Sequence, residues 1–509
     1  MTVLNADPAE PAGAEIAEDA VPDRSDRIPL VGLGGSAGAI PPLQKFFKTM
    51  PVDSGMAFVV VMHLAPEHES TLPELLQRCT AMPVCQAQEQ QAIEPNKVYV
   101  IPPGKTLGTL DGHLTLADPK PLARGRHVAV DLFFRTLADT QGPRAAAIVL
   151  SGADGDGAIG IKRIKECGGL TVAQDPDEAE HGSMPRTAIA TGMVDWVLPV
   201  AEMPGRLRLY FGLEKQLRLP PEDELPVQPK VDDRGEQEAA LADVLAFLRS
   251  RTGRDFTCYK RATVVRRIGR RMQVNGVTDL PGYLDCLRTR PGEADALLQD
   301  LLISVTNFFR DADCFEALDA HLAELLKGRG PGDTVRVWVP ACATGEEAYS
   351  LAILLAEKAR QAEAPPIIQI FATDLDEQAI RAAREAIYPI TIEADVSEER
   401  LRRFFVRELR GYHVRREVRE MVLFAQHDLL KDSPFSRLDL VSCRNLLIYL
   451  NREAQKRVFE IFHFALVPGG RLFLGSSETT EDAGALFTVL DKKHRIFTAR
   501  AARRVVLPV

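Results

Sequence analysis

At 509 residues the chain is too long for one ordinary core, and at about 150 residues per domain it divides into two to four. Its 45% hydrophobic and 26% charged content excludes a collagen-like, mucin-like or wholly disordered chain, and no apolar run approaches the roughly 20 residues needed to span a bilayer. A net charge of −9 argues against general nucleic-acid affinity, and eight scattered cysteines without a C-x-x-C pair read as free thiols, with no metal site expected.

Residues 1–27 hold seven acids and two arginines with no periodic apolar face, the composition of a disordered acidic tail. They lack the basic and apolar regions of a secretory signal, so the expected location is the cytoplasm. From 28 to 212, β-rich runs at 29–33, 57–62, 97–101 and 145–150 alternate with helix-like stretches, the pattern of a parallel α/β sheet. Gly34-Gly35-Ser36-Ala37-Gly38 follows the first run and precedes Pro41 and Pro42, which suit a first helical turn. Such a turn lets a serine hydroxyl protrude and a neighbouring N–H face an oxyanion, although glycine-rich turns also bind phosphate or simply reverse the chain.

His63 follows the second strand, at the carboxyl edge where clefts of open α/β sheets form; a strand-capping histidine is the plain alternative, and His68 a lesser rival. Ser151-Gly152-Ala153-Asp154-Gly155-Asp156-Gly157 follows a further strand. These groups suit nucleophilic catalysis: His63 takes the Ser36 proton, and Asp156 or Asp154 orients the imidazole and stabilises the imidazolium. The order Ser, His, Asp differs from the Ser, Asp, His order of α/β-hydrolases.

Residues 213–238, with Pro220, Pro221, Pro226 and Pro229 among many acids, read as an extended linker. A helical segment is expected over 239–320. Within it Lys260, Arg261, Arg266, Arg267, Arg270 and Arg271 lie on a helix that offers Val265, Ile268 and Met272 to a core. The basic face is expected to dock an acidic helix bundle, with a solvated charged face or a phosphate site as alternatives.

The α/β pattern resumes over 321–503, with buried strands at 336–340, 368–373, 438–442 and 471–474. The first runs into Pro340-Ala341-Cys342-Ala343-Thr344-Gly345-Glu346-Glu347 and then a helix over 348–358. Small residues admit a ligand close to the backbone, and acids suit the cationic end of S-adenosylmethionine better than a pyrophosphate; the alternative is acids complementing a helix N-terminus. Asp374 ends the next strand, where a carboxylate can accept from ribose hydroxyls, with Asp376 as a competitor. A later strand ends in Ser442-Cys443-Arg444-Asn445, with Tyr449 a turn further on.

Two resemblances join these pieces. The serine motif, Met62-His63-Leu64-Ala65-Pro66, Tyr99-Val100-Ile101-Pro102-Pro103-Gly104, the segment Ser151 to Gly157 and Met184-Pro185-Arg186 resemble the chemotaxis protein-glutamate methylesterase family (CheB). That implies Ser36 as nucleophile, His63 as base and Asp156 as orienting carboxylate, leaving Asp154 as a turn residue. The chain departs from the family at Ala39, where a second glycine is usual, and is expected to lack the family's receiver domain.

Thr306-Asn307-Phe308-Phe309-Arg310, Ala343 to Glu347, Ala372-Thr373-Asp374 and Cys443-Arg444-Asn445-Leu446-Leu447-Ile448-Tyr449 resemble the chemoreceptor glutamate methyltransferase family (CheR). This implies cofactor contacts from Thr306, Arg310, Glu347, Asp374, Asp428, Leu429, Arg444 and Asn445, with Arg310 and Tyr449 near the methyl path. Ser304 and Asp428 replace residues that are asparagine in the family. A small β-insertion is expected near 386–425, and its short loop from Glu408 to Tyr412 resembles members that do not need a receptor's tethering pentapeptide.

The resulting expectation is two doubly wound α/β domains: an esterase sheet, then a Rossmann-like S-adenosylmethionine methyltransferase preceded by a helical subdomain. The expected function is methylation of receptor glutamates and hydrolysis of the esters, with glutamine deamidation as an extension. The expected partners are chemoreceptor cytoplasmic helices and a separate response regulator or kinase, without nucleic acid or membrane insertion. A catalytically silent signalling scaffold and a methyltransferase of RNA or small molecules are the alternatives.

Overall fold

The computed structural model describes residues 28–63, 70–119, 128–222, 233–303, 305–361, 364–408, 411–480 and 483–501. The predicted acidic tail, His68, Ser304 and the middle of the predicted linker lie outside these residues.

The first half is built on seven parallel strands: β1 Leu30–Gly35, β2 Ala57–Met62, β3 Val84–Gln86, β4 Val98–Val100, β5 Ala145–Val149, β6 Leu170–Gln174 and β7 Trp196–Leu198, in the order β7-β6-β5-β1-β2-β4-β3. Every residue of β1, β2 and β5 is buried, because a parallel sheet covered on both faces leaves no side for polar residues. Alternate residues feed opposite cores. Val31, Leu33, Phe58 and Val60 meet Leu43, Phe46 and Phe47 of α1 (Ile40–Thr49), whereas Val59, Val61 and Val149 meet Phe133 and Phe134 of α2 (Ala129–Gln141) and Ile161 and Ile164 of α3 (Ala158–Glu166). From central β1 the chain winds first toward β2 and later toward β5, which opens a cleft at the carboxyl ends of these strands.

Helix α4 (Asp233–Thr252) begins inside the predicted linker, and Leu217 and Leu219 pack on the helical unit that follows. That unit comprises α4, α5 (Arg261–Asn275), α6 (Leu280–Thr289) and α7 (Glu293–Leu302) around Leu248, Val265, Ile268, Met272 and Leu297. It ends at Leu302, earlier than the expected 320, because α8 (Ala312–Leu326) buries Phe315, Leu318 and Leu322 in the next α/β core.

The second sheet contains β8 Thr334–Pro340, β9 Ile367–Asp374, β10 Val422–Gln426, β11 Leu438–Cys443, β12 Leu466–Leu474, β13 Phe487–Asp491 and β14 Ile496–Ala499, in the order β10-β9-β8-β11-β12-β14-β13. The first five in that order are parallel, and β13 and β14 close the edge as an antiparallel hairpin. The expected insertion is a three-stranded antiparallel sheet of Ile387–Tyr388, Phe405–Glu408 and Gly411–Val414, in which Glu408 pairs with Gly411 across a two-residue connection. It is shorter than expected, since 422–426 forms β10 of the main sheet.

The basic helix is not an open docking face. In α5, Arg267, Arg270 and Arg271 are buried, and they clamp the two halves together. Arg267 donates to the carbonyls of Lys165 (2.9 Å) and Glu166, and Arg270 to that of Gly169 (2.8 Å). Arg270 also pairs with Asp195 of the first half and Asp300 of the helical unit; Lys165 pairs with the same two acids at 2.6 and 2.8 Å. Arg271 pairs with Glu293 at 2.5 Å. Burial alone would raise the Asp195 pKa, but Arg270, Lys165 and Arg271 outweigh it and hold the carboxyl below its ordinary range. Separately, Arg135 of α2 forms a bidentate pair with Asp395, at 2.8 and 2.9 Å.

Candidate active sites

In the first half, the pairings Gly35↔Met62 and Gly34↔Val149 bring Ser36, His63 and the 151–157 loop to one edge of the sheet. The Ser36 N–H donates to the Ser151 carbonyl (2.9 Å), and Ser151 Oγ donates to the Ala37 carbonyl (2.9 Å), tying the serine turn to its neighbour. Gly38 has φ +73°, which favours glycine, whereas Ala39 lies in the ordinary right-handed region at φ −82°, so a second glycine is not needed there. Gly152 is required for space: a Cβ there would stand 1.9 Å from Met184 Sδ and 3.1 Å from Ser36 Cβ.

Asp156 is almost fully buried at the N-terminus of α2. It accepts the backbone N–H groups of Val130, Asp131 and Gly157, each at 2.9 Å, and lies 2.8 Å from His63 Nε2. The other ring nitrogen is Nδ1. Asp154 Oδ2 lies 3.4 Å from that Nδ1, while Asp154 Oδ1 accepts the Asp156 N–H. Burial would lower the His63 pKa, but the hydrogen bond and charge of Asp156, helped by Asp154 and Asp131, outweigh it and raise the value.

In the second half, Thr306, Arg310, Glu347, Asp374, Asp428, Leu429, Arg444 and Asn445 all line one cavity at the carboxyl ends of β8, β9 and β11. Its floor is the loop after β8, where Ala341 (φ +55°) and Ala343 (φ +48°) adopt left-handed backbone at roughly 1–2 kcal/mol each. Asp374 accepts the N–H groups of Ala343 (2.8 Å) and Asp376 (2.9 Å), one on each oxygen, and burial pushes its pKa up to about 6. A carboxylate offers about four acceptor positions, so each oxygen keeps capacity for a hydroxyl.

Asp376 instead caps the helix Glu377–Glu385, accepting the N–H groups of Gln378 and Ala379. The two adjacent glutamates also separate: Glu347 reaches the cavity and accepts from Ser442 Oγ (2.6 Å), whereas Glu346 accepts from Thr344 Oγ1 (2.6 Å). Asp428 Oδ1 accepts the Leu430 N–H (3.0 Å). Glu347, Asp374 and Asp428, with Leu429, Leu446 and Tyr259 beside them, fit a nucleoside cofactor that carries positive charge, while Arg310, Lys431, Arg444 and Arg457 also line the cavity.

Arg444 lines the cavity and is also braced from outside it. Its guanidinium donates to the Arg310 carbonyl (2.9 Å) and Asp311 (2.7 Å), and stands over the rings of Phe315 and Phe473. It holds the loop that carries Arg310. The cavity also takes Asp255, Thr257, Cys258 and Tyr259 from the α4–α5 loop, a loop without a recognisable sequence motif. Glu478, likewise missed, accepts the N–H groups of Asn445, Leu447 and Gly475 and so shapes the loop after β11.

Comparisons with known proteins separate the chain in the same way. Residues 31–207 match the CheB methylesterase family, 239–302 the all-alpha domain of CheR methyltransferase, and 304–496 its SAM binding domain. An uncharacterised 104.1-kDa protein of Rhodobacter capsulatus is 39% identical over 447 residues, which are 84% of this chain and 46% of that protein. The chain thus spans about half the length of that relative. The chemotaxis protein methyltransferase of Escherichia coli is 32% identical over 264 residues, 50% of this chain and 88% of its own. The crystal structure of the Thermotoga maritima CheB methylesterase catalytic domain is 26% identical and covers 35% of this chain and 96% of its own, with a TM-score of 0.34.

Proposed function

We propose, for a chain that belongs to the CheB methylesterase family in its first half and the CheR methyltransferase family in its second, a bifunctional enzyme that writes and erases methyl esters on chemoreceptor glutamates. The observation that carries the reading is that one chain holds both a His63–Asp156 pair beside Ser36 and a single cavity gathering eight residues expected to hold the cofactor.

In the esterase, Ser36 Oγ adds to the ester carbonyl as its proton passes to His63 Nδ1. Methanol leaves with that proton and Ser36 keeps the acyl group; water, deprotonated by the same nitrogen, then releases the glutamate. Asp156 stabilises the imidazolium at each step. Glutamine deamidation is the same sequence with ammonia leaving.

In the transferase, S-adenosylmethionine supplies a methyl group activated by a cationic sulfur. The acceptor carboxylate, with a pKa of about 4.3, is already ionised, so the protein's task is alignment and exclusion of water. Asp374 accepts from the ribose hydroxyls, Glu347 complements the cationic end, and Arg310 holds the acceptor carboxylate. Tyr449 also lines the cavity; its pKa is pushed up to about 12, mainly by burial, so its hydroxyl stays protonated and able to donate.

The test is incubation of the purified Ser36→Ala chain, in which ester hydrolysis is blocked, with receptor cytoplasmic domains and methyl-labelled S-adenosylmethionine. Base-labile label on receptor glutamates is expected; its absence from every receptor domain of the source organism would contradict the transferase reading.

A further inference from the structure

The transferase cavity is not made by the second half alone. Glu166, the last residue of α3 in the esterase half, lines it beside Arg310 and Tyr449. One carboxylate oxygen accepts from the Arg310 guanidinium at 3.0 Å and the other from Arg163 at 2.5 Å. The side chain is 6% exposed, and the Arg267 contacts to the Lys165 and Glu166 carbonyls hold the end of α3 against the helical unit. A second cleft between the halves also reaches Glu166; it is lined by Arg135, Lys162, Arg163 and Arg310 together with Asp139 and Asp311, and its arginines are paired with Asp395, Asp139 and Glu166. Cleft and cavity share Glu166, Val305, Thr306 and Arg310. A glutamate carboxylate approaching Arg310 from this cleft meets a glutamate carboxylate already bound to it.

We propose that Glu166 is an internal stand-in for the substrate: its carboxylate occupies the methyl-acceptor subsite at Arg310, and an acceptor glutamate enters by displacing it. The claim rests on the transferase reading and assigns the acceptor subsite to both halves of the chain. Chemically the subsite takes a side-chain carboxylate. The esterase half thereby lowers the fraction of transferase ready to bind acceptor, and apparent affinity falls in proportion to that fraction.

The test compares the full chain with Glu166→Gln and Glu166→Asp, using a peptide of a chemoreceptor methylation helix. Without cofactor, calorimetry is expected to show peptide binding about tenfold tighter for Glu166→Gln, with Glu166→Asp between it and the wild type. Methylation KM falls to match, while methyl-ester hydrolysis, read at the separate esterase site, stays within twofold. Equal peptide affinities for all three proteins would overturn the proposal, as would a methyl group found on Glu166 itself, which would make it a substrate. Peptide binding is read apart from turnover, so a chain that transfers no methyl group removes the transferase reading, whereas equal affinities remove the stand-in.

Discussion

The two clefts use a carboxylate in opposite ways. Asp156 accepts three backbone N–H groups and meets His63, a set that fixes both the carboxylate and the ring before any substrate arrives. Asp374 accepts two N–H groups, is pushed up to a pKa of about 6 by burial, and keeps acceptor positions toward an open cavity. The first orients a neighbouring base, and the second is placed to receive a ligand. An esterase that makes a covalent intermediate needs its side chains aligned with one another; a transferase with an ionised acceptor needs them aligned on two bound molecules.

The sharpest way to break the contrast is Ser36→Ala, expected to lower methyl-ester hydrolysis by about four to six orders of magnitude while methyl incorporation is retained, measured as methanol release against label uptake. Asp156→Asn should cost about 10⁴-fold in esterase kcat by presenting the wrong His63 tautomer, again without touching cofactor binding. Arg270→Ala tests whether the clefts are coupled. It removes one of the cations that Asp195 and Asp300 share with Lys165, leaving the buried network one positive charge short, and is expected to cost about 3 kcal/mol in thermal or denaturant unfolding.

Asp374→Asn should weaken S-adenosylhomocysteine binding by about 1.5–3 kcal/mol, roughly 10- to 150-fold, and leave the esterase unchanged.

The smallest effects are in pH. Cofactor binding needs ionised Asp374, so calorimetric affinity should be flat above neutrality and fall as pH drops through about 6. The free protein responds with the opposite sign: a carboxyl whose folded pKa is raised favours folding at low pH and loses that contribution as pH rises through about 6. Esterase activity, which needs neutral His63, should rise with pH through a value above 6.5, and Asp154→Asn should shift that limb downward by less than Asp156→Asn.

Much of this architecture is legible locally. Parallel strands buried on both faces are continuous apolar runs, so Ala57–Met62 stands out, and the residues just past such runs fall at the carboxyl edge where Ser36, His63 and Asp374 are found. What was not legible depends on partners far along the chain. Arg270 reads as part of an exposed basic face until Asp195, 75 residues away, is seen buried against it. Helix α8 looks like a continuation of the helical unit until Phe315 and Leu322 are found in the α/β core. Tyr259 enters the second site, and Glu478 supports its wall, through loops whose sequences carry no motif, and Glu166 reaches it from the other half.

The central claim is that one chain both adds and removes the methyl ester, and a pulse–chase measures it directly. The receptor domain is labelled by the wild-type chain, excess unlabelled cofactor is added, and volatile methanol is collected in parallel with Ser36→Ala. The account predicts equal initial labelling by the two proteins, followed by release from the wild-type reaction alone. Equal release from both reactions, or none from either despite stable labelling, would contradict it.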